Sequence, residues 1–324
     1  MPKKAIFVCD GTSRVGFGHF SRCLTIALEM SKHKVDVGFC GEFDGFAMDL
    51  LKGSGFNAVP KSSLMGVDLI IADSYLFTKT LLAQLKAQCQ RLVVLDDFDM
   101  YRHDCVDLLV NFRFNAQAFV KSSSQHVLGI EYFPFKQTFV DIRKAQLSEP
   151  PLVEEVKRVL LVLGASDRFN ITATLLCALD RALSACTIVV LSAEAPCVTL
   201  ENNKVIHHTF TKDMDKYYRE SDVVISGGGS IKYEAGFCMV PNAAVSQTAE
   251  QQADTKLLQG GGICFDVGLA EELLENPSVL ETQLQVFLSK ATRKKQTQQL
   301  AHVYDLNSTR NLVNKILGSR NVSS

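Results

Sequence analysis

The 324-residue chain has no apolar run approaching the length of a membrane span, no Cys-x-x-Cys pair, no His-Glu-x-x-His motif and no excess of charge of either sign. Each absence excludes a class of function. Without about 20 consecutive apolar residues there is no spanning helix. A net charge of −1 leaves no electrostatic footprint for nucleic acid or an anionic membrane surface. The ten cysteines are scattered, and Cys186, Cys238 and Cys264 lie inside apolar segments. This is the usage of a reduced protein with buried thiols, not of a disulfide framework or a zinc site. Met1-Pro2-Lys3-Lys4 runs straight into a short strand without the apolar region or cleavage site of a signal peptide, so the expected location is the cytoplasm. Hydrophobic residues at 47% and charged residues at 21% are those of a globular protein, and the length suffices for two cores.

The most informative stretch is Asp10-Gly-Thr-Ser-Arg14-Val-Gly16-Phe-Gly18-His19-Phe-Ser-Arg22-Cys23. It follows an apolar strand pattern at 5–9 and precedes an amphipathic helical one. Glycines at a strand-to-helix turn let the backbone approach a ligand, and a helix start offers unpaired N–H groups to negative charge. A third glycine, expected in a dinucleotide loop, is replaced by Ser21, and His19 stands where another small residue would be. The spacing therefore sets a reactive imidazole beside an anion-friendly loop. The plain alternatives are a capping histidine and, for Arg22, a solvated helix residue.

Apolar runs at 5–9, 35–39, 68–73, 92–96 and 107–111 alternate with helical patterns near 19–32, 44–54 and 78–90. Strands this uniformly apolar are buried on both faces, as in a parallel sheet flanked by helices. The polar, proline-ended stretch 144–156 is the best linker candidate. The alternation restarts at 159–163, which ends in Gly164, and continues at 186–191, 204–209, 222–226 and 242–246, with a last helix over 306–318. The pattern predicts an α/β protein of two Rossmann-like domains, 1–147 and 157–305, with an inter-domain cleft. The segment 306–324 is a helix and tail that could pack back on the first domain. Ligands of such sheets sit at the C-terminal ends of strands.

A second constellation follows the strand at 222–226: Gly227-Gly228-Gly229-Ser230, then Ile-Lys-Tyr-Glu234. A triple glycine after a buried strand points to tight turning or close approach. Ser230 is expected to cap the helix, whose first-turn N–H groups would hold a diphosphate without metal, and Glu234 to accept from ribose hydroxyls. The plain alternatives are an N-cap and a first-turn acid favoured by the helix dipole. Two glycine-rich sites fit a nucleotide sugar. His103, His126, His207, His208 and His302 lack such a context and are read as structural or surface residues.

Asp10, the Gly16-x-Gly18-His19-x-x-Arg22-Cys23 motif, Asp73-Ser74-Tyr75, Asp96-Asp97 and the glycine loop before Ser230 and Glu234 occur in an order that resembles the UDP-sugar hydrolases of pseudaminic acid biosynthesis. The resemblance extends nearly to residue 318. It implies a GT-B-like enzyme that removes UDP from UDP-2,4-diacetamido-2,4,6-trideoxy-β-L-altropyranose by attack of water at the anomeric carbon. It implies His19 as catalytic base, with Asp10 and the residue matching Gln251 also implicated in activity. Gly16, Gly18, Arg14, Arg22, Asp73, Tyr75, Gly164, Gly228, Gly229, Ser230, Glu234 and Gln252 are the implied substrate contacts. No cofactor and no metal are expected. The sole expected partner is the UDP-sugar, with no nucleic acid and no membrane insertion, and a monomer is compatible with the sequence. The chain departs from the family at Val8, where arginine is common, and at Gln251, where asparagine stands. A GT-B glycosyltransferase and a nucleotide-sugar binder with impaired catalysis are the competing readings.

Overall fold

Runs such as Val67-Asp-Leu-Ile-Ile-Ala-Asp73 and Arg158-Val-Leu-Leu-Val162 leave no polar face, so each strand must be covered on both sides. The computed structural model describes residues 2–12, 14–100, 105–121, 125–150, 154–164, 167–209, 211 and 213–318, in two compact units, Met1–Lys136 with Asn307–Ser324, and Gln137–Leu306.

In the first unit the elements run β1 (Lys4–Val8), α1 (Gly18–Ser31), β2 (Asp36–Cys40), α2 (Gly45–Gly53), β3 (Asn57–Ala58), β4 (Val67–Asp73), α3 (Lys79–Gln88), β5 (Cys89–Leu95), β6 (Leu108–Asn111) and β7 (His126–Leu128). The sheet order is β3-β2-β1-β4-β5-β6-β7, and its strand pairs are parallel. β4, with both β1 and β5 beside it, is among the most deeply buried strands, and Leu69, Ile70, Ile71, Ala72 and Asp73 are fully enclosed. One face packs as a cluster that includes Ile6, Ile70, Leu82, Leu92, Val94 and Leu109.

The second unit contains α4 (Gln137–Ser148), β8 (Arg158–Val162), α5 (Thr172–Ala182), β9 (Thr187–Leu191), β10 (Lys204–His208), α6 (Met214–Glu220), β11 (Val223–Ser226), α7 (Ile231–Phe237), β12 (Asn242–Ser246), α8 (Ala249–Gly260), β13 (Phe265–Leu269), α9 (Ala270–Glu275), α10 (Pro277–Leu288) and α11 (Lys290–Val303). Its sheet, β10-β9-β8-β11-β12-β13, is again parallel. The chain returns to the first unit as α12 (Ser308–Leu317), which packs on α1, and Arg91 donates to the Ile316 carbonyl at 2.6 Å.

The two-domain α/β class stands. The expected first-domain end at 147 differs from the structure: α4 packs on α6 and α7 and groups with the second unit. The reason is Arg143. Its guanidinium, 1% exposed, donates to the carbonyls of Phe237, Leu300, Ala301 and Tyr304 and lies over the Phe237 and Tyr304 rings. A buried cation that closes the last carbonyls of a helix has nowhere else to go. The expected linker therefore begins as helix, and its residues 151–153 lie outside the described residues, as does His103. β3, β7 and β13 are short or half-exposed strands that apolar runs do not mark. Arg143→Ala strips four carbonyls of their donor and is expected to cost on the order of 3 kcal/mol, seen as a lowered urea midpoint.

Candidate functional site

In the first sheet, the strand order reverses between β1 and β4, whose chain connections leave in opposite directions. At such a switch point the loops diverge and leave a crevice at the strands' C-terminal ends. The loop after β1 places His19 there as the second residue of α1, and β4 ends in Asp73. His19 Nδ1 and Asp73 Oδ1 are 2.6 Å apart. Because a carboxylate only accepts, Nδ1 carries the proton of this bond, so that in the neutral ring Nε2 is the acceptor nitrogen. Nε2 has no hydrogen bond among the described residues, and the side chain is 14% exposed.

Asp73 is held in turn by Arg22, one turn along α1. Nε donates to Oδ2 and Nη2 to Oδ1, each at 2.6 Å, while Nη1 donates to Asp97 Oδ2 at 2.7 Å. The Tyr75 hydroxyl donates to the same Asp97 oxygen at 2.7 Å, and its ring meets the His19 ring edge-on at 4.4 Å. Phe112 lies under the guanidinium. Burial of Asp73 works against its charge, but Arg22 and then His19 outweigh this and hold it well below the usual carboxylate range. Arg22 is raised well above its ordinary value: burial opposes its charge, and Asp73 and Asp97 more than compensate. The constellation is an oriented imidazole backed by a carboxylate that stays ionised.

Several expected site residues are placed differently. Arg22 points inward as the clamp on Asp73, so it positions the base and leaves little to offer a ligand. Asp10 does not hydrogen-bond His19; its Oδ1 accepts the Glu42 backbone N–H at 2.8 Å and ties the loops after β1 and β2 together. Arg14 forms an exposed 3.4 Å ion pair with Glu42. Gly16 takes a left-handed turn (φ +84°) and its N–H closes the loop on Thr12, whereas Gly18, the first residue of α1, has open space around its α-carbon.

The second sheet repeats the plan, with its switch point between β8 and β11. Gly164 follows β8 and Gly227–Gly229 follow β11. A side chain at Gly227 would meet the Leu163 carbonyl oxygen at 1.9 Å, so here two backbones touch. Gly228 (φ +79°) faces Ser246 Oγ and Gln251, where a Cβ would come within 3.1 Å of each. Gly164 (φ +107°) and Gly229 face open space, which no packing constraint explains. Ser230 is helical in backbone and its hydroxyl makes no cap bond, contrary to expectation. Glu234 Oε2 is occupied by the buried Tyr218 hydroxyl at 2.9 Å.

Below the loop, α7 and α8 are braced by a buried ion pair. Lys232, 1% exposed, lies 2.8 Å from Asp254 Oδ2 and donates to Thr255 Oγ1 at 3.0 Å and to the Gln251 carbonyl. Tyr233 bonds the same Asp254. Gln251, implied as catalytic, stands three residues after the cap Thr248, and its side chain reaches back past the cap to the residue before it. Thr248 Oγ1 accepts its N–H, and its own Oε1 accepts the Gln247 N–H at 2.9 Å. The Thr248-x-x-Gln251 spacing was legible in the sequence. Gln252 lines a surface cavity of about 440 Å³ with Gln259, Asp266, Glu272 and Gln283. Residues missed from sequence are Asp97 as a partner of Arg22, and Lys232, Asp254 and Gln247 of the second unit. Nothing local marks them.

Two doubly wound parallel sheets, each with a switch point between its central strands, define a GT-B-like two-domain α/β fold. Among solved structures, Acinetobacter baumannii MurG superposes with a TM-score of 0.66 at 15% identity over 98% of this chain and 100% of that one. S. aureus MnaA, solved with UDP, gives 0.65 at 11% identity over 99% of each. The UDP-GlcNAc 2-epimerase from Neisseria meningitidis, bound to UDP-GlcNAc, gives 0.59 at 12% over 97% and 100%. At these identities the likeness carries the fold. An uncharacterised protein of Methanocaldococcus jannaschii is 22% identical over 277 residues, 77% of this chain and 57% of that protein, so the chain spans little more than half the length of that relative. No protein-family model matches. Among the described residues no cluster of His, Cys, Asp or Glu could hold a metal ion, and no helix is long and apolar enough to cross a membrane.

Two expectations follow. Asp73→Asn leaves Arg22 buried against a neutral partner and should cost about 3–5 kcal/mol at pH 7. Since Asp73 is depressed in the folded protein, its stabilisation is full above the unfolded value, about 4, and is lost as pH falls towards the folded one. The gap between wild type and variant should therefore close in acid, as followed by urea unfolding from pH 7 to pH 3. Gly227→Ala should cost on the order of 3 kcal/mol through the clash with Leu163, while Gly229→Ala should stay within about 0.5 kcal/mol, compared by thermal unfolding.

Proposed function

We propose that the protein hydrolyses a UDP-linked diacetamido sugar, UDP-2,4-diacetamido-2,4,6-trideoxy-β-L-altropyranose or a close relative, releasing UDP. The observation that carries this reading is His19: an imidazole with Nδ1 tied to an ionised carboxylate and Nε2 unpartnered. Such a group can act as a general base. In the proposed reaction Nε2 takes a proton from water as its oxygen bonds to the anomeric carbon. The bond from that carbon to the β-phosphate oxygen breaks, and UDP leaves with the electron pair. Asp73 stabilises the imidazolium that forms. The N–H groups at Gly228, Gly229 and Ser230 would hold the diphosphate, the reading that the open space at Gly229 supports. The UDP and UDP-GlcNAc bound to structurally similar proteins are in line with this ligand class. The ordered motif set from Asp10 to Glu234 supports the particular sugar.

One observation favours transfer to an acceptor instead of water. Tyr75 and Leu76, two and three residues after Asp73, are 44% and 71% exposed, an apolar surface beside the base. The reactions separate by assay. UDP release from the diacetamido substrate in EDTA, at full rate without acceptor, is the expected result. Release that appears only with added acceptors would replace hydrolysis by transfer, and saturable UDP binding with no turnover would remove catalysis altogether. His19→Ala should lower the rate of release by about 100- to 10,000-fold while the affinity for UDP, measured by calorimetry, stays near wild type.

A further inference from the structure

The buried side-chain amides of the second unit are used to different degrees. Gln296, 5% exposed, accepts the Asn242 N–H through Oε1 and donates through Nε2 to the carbonyls of Asn242 and Ile263, and Asn242 donates through Nδ2 while its Oδ1 has no partner among the described residues. Gln247 uses neither end of its amide. Its side chain is as enclosed, with the residue 8% exposed, yet neither Oε1 nor Nε2 has a hydrogen-bond partner among the described residues. Each orphaned polar atom costs about 1–3 kcal/mol relative to a paired one, and a native chain keeps such a pair only for a reason.

The position supplies the reason. Gln247 directly follows Ser246, the last residue of β12, and precedes Thr248, the cap of α8. Its backbone N–H is fixed by Gln251 Oε1, and Ser246 Oγ and Gln251 are the atoms that border Gly228. The orphan amide thus belongs to the strand end beside the glycine loop, where ligands of doubly wound sheets bind. It offers one acceptor and one donor side by side, which match the C=O and N–H of another amide.

We propose that Gln247 is the residue by which this protein reads an amide on its ligand. The inference rests on the UDP-sugar reading, and such a ligand carries amides in two places, the imide edge of uracil and the acetamido groups of the sugar. A neutral hydroxyl does not complete the same pair.

The test is calorimetric titration of wild type, Gln247→Met and Gln247→Glu with UDP, CDP, UDP-glucose and UDP-N-acetylglucosamine, with thermal unfolding of each unliganded protein. If the base is read, both variants should bind UDP about 10- to 100-fold more weakly than wild type; if the acetamide is read, wild type should prefer UDP-N-acetylglucosamine over UDP-glucose by a similar factor and both variants should lose that preference. Unliganded Gln247→Met should unfold at the same or a higher temperature, because methionine fills the space and removes the orphans. A purely structural glutamine predicts the reverse, so a destabilised or unfolded Gln247→Met overturns the inference. So do variants that bind UDP as tightly as wild type and keep its selectivity between the two UDP-sugars. If wild type binds none of the four ligands, the UDP-sugar reading falls and takes this inference with it; if it binds them and both affinity and selectivity are unmoved in the variants, only the role of Gln247 is lost.

Discussion

The first unit is organised around one buried carboxylate. Asp73 ends a strand with no exposed surface, and a bare negative charge there would be prohibitively costly. Arg22 resolves this with two parallel hydrogen bonds, the geometry in which a guanidinium and a carboxylate pair best. The consequences extend outward. Arg22 must then find a partner for Nη1, which is Asp97; Asp97 fixes Tyr75; and Tyr75 borders the imidazole. Fixing Asp73 also fixes Oδ1 against His19 and thereby selects the histidine tautomer. A single desolvated charge thus sets the orientation, the protonation pattern and the environment of the proposed base.

The second unit answers a different physical problem, the placement of bare backbone. Its three consecutive glycines do three separate jobs. Gly227 permits contact with the chain leaving β8, Gly228 supplies a left-handed turn beside Ser246 and Gln251, and Gly229 leaves space. A loop with so few side chains has little to hold it, and the holding is done from beneath. The Lys232–Asp254 pair ties α7 to α8 and reaches the Gln251 carbonyl, so the polar network is satisfied below the loop while Gln247 remains unsatisfied beside it.

What was readable in the sequence depended on the range of the interaction. The loops after β1 and β11 announce themselves because glycine is required locally, and His19 was conspicuous because it interrupts such a loop. The strands of the two sheets were legible wherever both faces are buried, and faded at β3, β7 and β13, where one face meets solvent. Gln251 is a case in which a local signal was present and outweighed: Thr248-x-x-Gln251 is a capping spacing, and the side chain caps. Arg22 shows the opposite. Its partners are 51 and 75 residues away, and no periodicity says that a helical arginine turns inward.

By itself, then, the amino-acid sequence determined the α/β class, the two sheets, and the two loops at which glycine must appear. These follow from hydrophobic period and from the steric freedom of single residues, both of which are properties of neighbours along the chain. The tertiary structure decided which charges face which: that Asp73 rather than Asp10 carries His19, that Arg22 clamps instead of greeting a ligand, that α4 joins the second unit through Arg143, and that Gln247 is enclosed without a partner. Burial and pairing are set by the strand order, which brings the end of β4 beside the loop after β1. That adjacency exists only once the sheet has formed.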